Sequence, residues 1–211
     1  MYKRQVKDLG EENILEKSYR EYKQSEKQIN LSEIYLEKLG ITNNKTTTTN
    51  KWLFNYQYVG IIAKAIPNAK IIHCYRNPLD NILSSYRAHF ATGNNFSSSL
   101  VDSAEVYSDQ DEIMQTYKEE FKNHIYSLNY DKLVTHPSDE IKSLISWLGW
   151  SWNDLYLSPH LNKRKVSTRS NVQVRSPINT KSLGGWKNYK EMLRPAMEII
   201  TKKDKYKYLK Y

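Results

Sequence analysis

The feature that most narrows the possible folds lies in residues 70–90, KIIHCYRNPLDNILSSYRAHF, where a strand pattern gives way to a helix pattern within two residues. Ile71-Ile72-His73-Cys74-Tyr75 is a short apolar run that stops at Arg76. Asn77-Pro78 makes the turn, and proline suits the first helical turn because the N–H it lacks would have no partner there. Leu79, Ile82, Leu83, Tyr86 and Phe90 then fall on one face at helical spacing. Ser84 lies off that face, eight residues after Arg76. A cation at the carboxyl end of a strand, beside a helix N-terminus, makes a natural anion site. The plainer reading is an exposed arginine in an ordinary strand-to-helix turn.

The flanking sequence extends this unit. Residues 8–40 carry Ile14, Leu15, Tyr19, Tyr22, Ile34, Leu36 and Leu39 in loose helical periodicity, which predicts two helices ending near Gly40. Lys45–Asn50 holds four consecutive threonines, whose β-branching favours a strand, with Lys51 at its end. Phe54–Ile66 predicts a helix stopped by Pro67. The order β-α-β-α implies parallel strands joined by a right-handed crossover. Ligands in such sheets sit beyond the carboxyl ends of strands, where both Lys51 and Arg76 fall.

Residues 92–102 read as a loop, 103–122 as a helix and 124–130 as a strand ended by Tyr130-Asp131-Lys132-Leu133. Pro137 opens a helix with Ile141, Leu144, Ile145 and Leu148 inward, closing at Gly149. Residues 150–185 show no periodic element, which is long for a connection and marks a functional loop. It contains Lys163, Arg164, Lys165, Arg169, Ser170, Gln173 and Arg175. Guanidinium groups and hydroxyls in that density suit a phosphorylated ligand, although a solvated basic loop has the same composition. A last helix is predicted from Trp186 to about Thr201, with Trp186 a core residue. The expected organisation is one α/β domain, a parallel sheet flanked by helices. Its parts are a helical lead-in over 1–40, a core over 45–149, the basic loop over 150–185 and a C-terminal helix over 186–201.

At 211 residues the chain is long enough to bury a substantial core, helped by 17 Tyr and five Trp. The net charge of +9 favours an acidic partner. Nucleic acid is not the first choice, because the lysines are spread among Glu and Asp rather than clustered. The densest basic run, Lys202-Lys203-Asp204-Lys205-Tyr206-Lys207, reads as a solvated, frayed terminus. Cys74, the only cysteine, reads as a small core residue and points to a reducing compartment, the cytoplasm. There is no long apolar stretch, so no membrane span is expected, and no residue cluster has metal-ligand spacing.

Four motifs occur in order: Asn50-Lys51, Arg76 with Ser84, Tyr130-Asp131-Lys132-Leu133-Val134 before Pro137, and Ser170…Gln173-Val174…Pro177…Trp186. In order and spacing they resemble the sulfotransferases that use 3′-phosphoadenosine 5′-phosphosulfate (PAPS), most closely the bacterial and protein-tyrosine branch. The resemblance spans about residues 45–193 and implies a P-loop-like fold. It also implies that Arg76 and Ser84 hold the 3′-phosphate, a group that distinguishes this nucleotide from ATP. Lys51 is then the cation for charge building on the bridging oxygen, and Ser170 the hydroxyl near the 5′-phosphosulfate. Tyr130 resembles the tyrosine near the adenine, while Arg87 and Arg175 are further candidate contributors of positive charge to the cofactor site. Gly184-Gly185-Trp186-Lys187-Asn188 is similar to the GxWKN element of the family, with glycine at position 185 where the closer branch has a basic residue.

The resemblance also implies a first strand and a glycine-rich loop of the form PRSGT, which would precede residue 1. The expectation is therefore a C-terminal portion of a longer enzyme, lacking the N-terminal strand and loop, with weak cofactor binding and impaired turnover. The implied reaction passes a sulfuryl group to an acceptor hydroxyl, on protein tyrosine or a small molecule, without a metal. Two rival readings are a non-catalytic module for adenosine 3′,5′-bisphosphate and a basic nucleic-acid-binding protein.

Overall fold

A computed structural model describes residues 4–5, 14–25, 30–38, 40, 47–88, 90, 94–162 and 173–210. The chain divides into two compact units, residues 1–69 with 116–124, and residues 70–115 with 125–211.

The first unit contains β1 (Arg4–Gln5), α1 (Ile14–Gln24), α2 (Leu31–Lys38), β2 (Thr48–Thr49) and α3 (Val59–Ala65). Helices α1 and α2 bury Leu15, Leu31 and Ile34, and α3 buries Val59 and Ala63. Ion pairs Arg20–Glu16 and Lys38–Glu21 decorate the outer faces. The threonine run yields only a two-residue strand, and β2 pairs in parallel with β1 (Arg4 opposite Thr48), a strand the sequence reading does not contain. A strand of two residues carries no alternation to detect.

The second unit is built on β3 (Ile71–Tyr75) and β4 (Ile125–Asn129), paired in parallel with Ile71 opposite Ile125 and Tyr75 opposite Asn129. The anticipated single sheet joining the 45–50 and 70–76 strands is instead two separate two-stranded sheets among the described residues. Helix α4 (Pro78–Ala88) follows β3, and its face of Leu79, Ile82 and Leu83 is buried as the spacing predicts. It ends before Phe90, which is 44% exposed rather than part of the apolar stripe. Cys74 is exposed rather than in the core, because strand alternation turns it outward with Ile72. Local desolvation nonetheless pushes its thiol above the ordinary range, so it is not a thiolate at neutral pH.

Helix α5 (Leu100–Glu120) starts earlier than expected and lends Ala104 and Tyr107 to the core. After β4 the chain enters a short helix, α6 (Tyr130–Thr135), where the sequence predicts only the strand's end. The Asn129 side chain caps it, accepting from the amides of Asp131 and Lys132 at 2.8 and 3.1 Å. Helix α7 (Pro137–Leu148) matches its prediction, from Pro137 at its first turn to Gly149 at φ +72°. The Trp150 N–H reaches back 3.1 Å to the Ile145 carbonyl, closing the helix in the Schellman manner.

The predicted helix over 186–201 is broken. A 3₁₀ turn spans Gly185–Tyr189, and α8 is confined to Arg194–Ile200, with Pro195 in its first turn. Trp186, Leu193, Ala196 and Ile200 join α4 and α5 in one core, as expected of Trp186. The basic tail is not frayed. Residues 204–210 wind into 3₁₀ turns and bury Leu209, while Lys203 donates to the Ser108 carbonyl and Lys205 pairs with Asp111 at 2.7 Å. Leu209 and Tyr206 give the tail the apolar anchor that its charge pattern hides.

Candidate anion site at the β3–α4 junction

Parallel pairing of Tyr75 with Asn129 sets two strand-to-helix turns side by side. At the first, Asn77 Oδ1 accepts from the amides of Leu79 and Asp80 at 3.0 and 3.2 Å. The helix donors that would attract an anion are thus used by the chain itself, which revises the expectation of a free helix N-terminus. Asn77 in turn donates its amide to Asp131 Oδ2 of the second turn at 2.8 Å. The capacity for an anion rests with the Arg76 side chain.

Arg76 is held from several directions. Its Nη2 donates to the Ser182 carbonyl at 2.5 Å and stands 3.6 Å from Asp80 Oδ2. Its guanidinium lies over the Tyr130 ring at 4.9 Å, a cation–π contact. Its backbone carbonyl accepts from Tyr107 Oη at 3.1 Å. The side chain is only 16% exposed, and its Nε–H is buried with no partner among the described residues. An unsatisfied buried donor costs about 1–3 kcal/mol.

Asp80, with 4% of its side chain exposed, is the counterweight. Its Oδ2 accepts from Gly184 N–H at 2.7 Å and its Oδ1 from Trp186 N–H at 3.0 Å. Gly184 sits at φ +66°, which glycine takes without strain and which points these amides at one carboxylate. Burial pushes the Tyr107 hydroxyl up to about 12, opposed by the Tyr206 hydrogen bond and aided by the charge of Asp111. Tyr206 is raised further, chiefly by burial, and donates to Asp111 Oδ1 at 3.1 Å.

The residues nominated by the sequence are placed as follows. Ser84 is exposed and shares a helical stripe with Asp80, four residues before it, and Arg87, three residues after it. Arg87 is exposed, its guanidinium 6.0 Å from the Tyr189 ring. Arg76 and Tyr130 are in direct contact. Arg175 is exposed and donates to the Asn162 carbonyl. Lys51 belongs to the first unit and is exposed; beside it Asn50 donates to Tyr35 Oη at 2.8 Å and accepts from Asn55 at 3.1 Å. Ser170 lies outside the described residues, as do Lys163, Arg164, Lys165 and Arg169. Sequence reasoning overlooked Asp80 and Ser182, and it read Asn77 only as a turn residue and Asp131 only as part of a motif, with no supporting role at the site. The four-residue spacing of Arg76 and Asp80 was the available signal, masked because an acid in a first helical turn is common in any helix.

No helix among the described residues is long and apolar enough to cross a membrane. Comparison with known proteins agrees with this architecture. The family model described as the sulfotransferase family matches residues 3–154. An uncharacterized protein of Aquifex aeolicus (strain VF5) is 32% identical over 173 residues, covering 80% of this chain and 23% of that protein. Protein-tyrosine sulfotransferase 1 of Danio rerio is 27% identical over 145 residues, covering 65% of this chain and 41% of that one. The chain therefore spans less than half the length of these curated relatives. Among solved structures, the sulfotransferase domain from the curacin biosynthetic pathway matches with a TM-score of 0.52. That match covers 89% of this chain and 77% of the other at 12% identity, a likeness of fold. With a family model covering most of the chain and a parallel α/β unit of matching fold, this protein belongs to the sulfotransferase family.

Proposed function

We propose that this chain binds PAPS and serves the transfer of its sulfuryl group to an acceptor hydroxyl. The observation that carries the reading is Arg76: a guanidinium fixed at the carboxyl end of β3, with a buried donor that has no partner among the described residues. Bound nucleotide would supply the sulfuryl group on its 5′ side. Arg76, with the Ser84 hydroxyl on the same side of α4 as Asp80, holds the 3′-phosphate. A planar fork suits that group better than a point charge. Arg87 and Arg175 add positive charge around the nucleotide. Tyr130, one ring face covered by Arg76, offers its hydroxyl or its other face to the adenine. Lys51 supplies a cation for charge developing on the bridging oxygen, an electrostatic role rather than a proton transfer. Ser170 contributes a hydroxyl on the 5′ side.

The acceptor in this reading is a hydroxyl, on a tyrosine side chain or a small molecule. Incubation with ³⁵S-labelled PAPS, a tyrosine-containing acidic peptide and a simple phenol tests it. Label appearing in an acceptor, reduced by Lys51→Ala, is the expected result, with slow turnover. Tight binding of adenosine 3′,5′-bisphosphate without labelled product would replace this reading with the non-catalytic module. Binding to nucleic acid that falls steeply with salt, with no preference for the bisphosphate, would replace both.

A further inference from the structure

The geometry points to Asp80 as a positioning residue for nucleotide recognition: its buried carboxylate pre-builds the anion site by holding Arg76 and the 182–186 segment together. This rests on the reading of Arg76 as the cation for the 3′-phosphate. A carboxylate taken out of water is costly unless its lone pairs are satisfied. Asp80 meets that requirement with two backbone amides, at 2.7 Å from Gly184 and 3.0 Å from Trp186, both more than 100 residues distant in the chain. It spends no short hydrogen bond on Arg76, whose Nη2 stands off at 3.6 Å. The guanidinium is instead oriented by the Ser182 carbonyl at 2.5 Å, two residues before Gly184. The contacts form a closed ring: Arg76 to Ser182, along the chain to Gly184 and Trp186, to Asp80, and back to Arg76.

A closed ring fixes an otherwise flexible side chain before any ligand arrives. Arginine loses substantial rotamer freedom when it binds, so prior fixation strengthens binding without adding a ligand contact. Trp186, 6% exposed in the core, anchors the far side of the ring. The role of Asp80 is indirect. It touches the cation and the loop, and it acts on the nucleotide through them.

The test measures binding of adenosine 3′,5′-bisphosphate and adenosine 5′-monophosphate to wild type, Asp80→Asn, Arg76→Ala and the double variant. An asparagine keeps the size but turns an NH₂ toward one of the two amides and removes the charge. Asp80→Asn should reduce the preference for the bisphosphate by about tenfold with the monophosphate little changed. Added to Arg76→Ala, it should cost nothing further. Equal losses for both ligands, or additive losses in the double variant, overturn the positioning role while leaving the Arg76 reading intact. A preference that survives Arg76→Ala overturns that reading and this inference with it. Should Asp80→Asn fail to fold, hydrogen exchange on the wild-type protein decides. The Gly184 and Trp186 amides should be protected without nucleotide, and exchange at unstructured rates contradicts the pre-built ring.

Discussion

Two cations, Lys51 and Arg76, follow threonine-rich and apolar strands at matching positions in the sequence, yet their surroundings differ sharply. Arg76 is mostly buried and is engaged by a carbonyl, a carboxylate and an aromatic face. Lys51 is exposed, and the ordered group beside it is Asn50, held by Tyr35 and Asn55. A strand end therefore does not make an ion site by itself. What distinguishes Arg76 is a second turn alongside its own, which delivers Tyr130 and Asp131, and a returning segment that delivers Ser182 and Gly184. The contrast fits the proposed division of work, in which a fixed fork recognises a standing phosphate and an exposed ammonium meets charge only during transfer.

The largest effect is expected from removing the support beneath Arg76. Trp186→Ala deletes a buried aromatic from the shared core and should lower unfolding free energy by about 3–5 kcal/mol, read by denaturant titration. A loss below about 1 kcal/mol would mean the ring around Arg76 stands independently of the core. Next comes Arg76→Lys, which keeps the charge and loses the fork. It should weaken bisphosphate binding about tenfold in calorimetry, and undiminished affinity would reduce Arg76 to a point charge like Lys51.

Tyr107→Phe removes the hydrogen bond to the Arg76 carbonyl and should cost about 1 kcal/mol of stability. It also has a pH signature. Tyr107 is raised to about 12 in the folded state and titrates near 10 when unfolded. The folded chain thus holds the extra proton between those values, so stability is full below about pH 10 and falls as pH rises toward 12. Tyr107→Phe should shallow that decline, and an unchanged alkaline slope would contradict the assignment. The smallest effect belongs to Lys51→Ala, with thermal stability shifted by less than about 0.5 kcal/mol and bisphosphate affinity preserved, while sulfate transfer falls. Nucleotide binding that drops as far as in Arg76→Lys would erase the contrast.

Much of this was legible in the sequence. Helix α7 announces itself with Pro137, a helical stripe and Gly149, and β3 with α4 by the switch of period at Asn77-Pro78. The missed elements share a physical cause: they are too short to carry a period, or they are fixed by partners remote in the chain. Strand β1 has two described residues, and α6 has six that begin directly at the strand end. The tail at 204–210 is charged in sequence but anchored by Leu209, and its lysines find Asp111 some 90 residues earlier. At the site, Arg76 stood out because its neighbours in sequence are unusual. Asp80 did not, since its partners Gly184 and Trp186 are brought to it only by the fold.

The central claim is that Arg76 reads a 3′-phosphate. Titration calorimetry of wild type and Arg76→Ala with adenosine 3′,5′-bisphosphate and adenosine 5′-monophosphate tests it directly. The wild type should favour the bisphosphate, and Arg76→Ala should lose about ten- to hundredfold for that ligand and little for the monophosphate. Equal losses for the two nucleotides, or a preference that survives the substitution, would contradict the account.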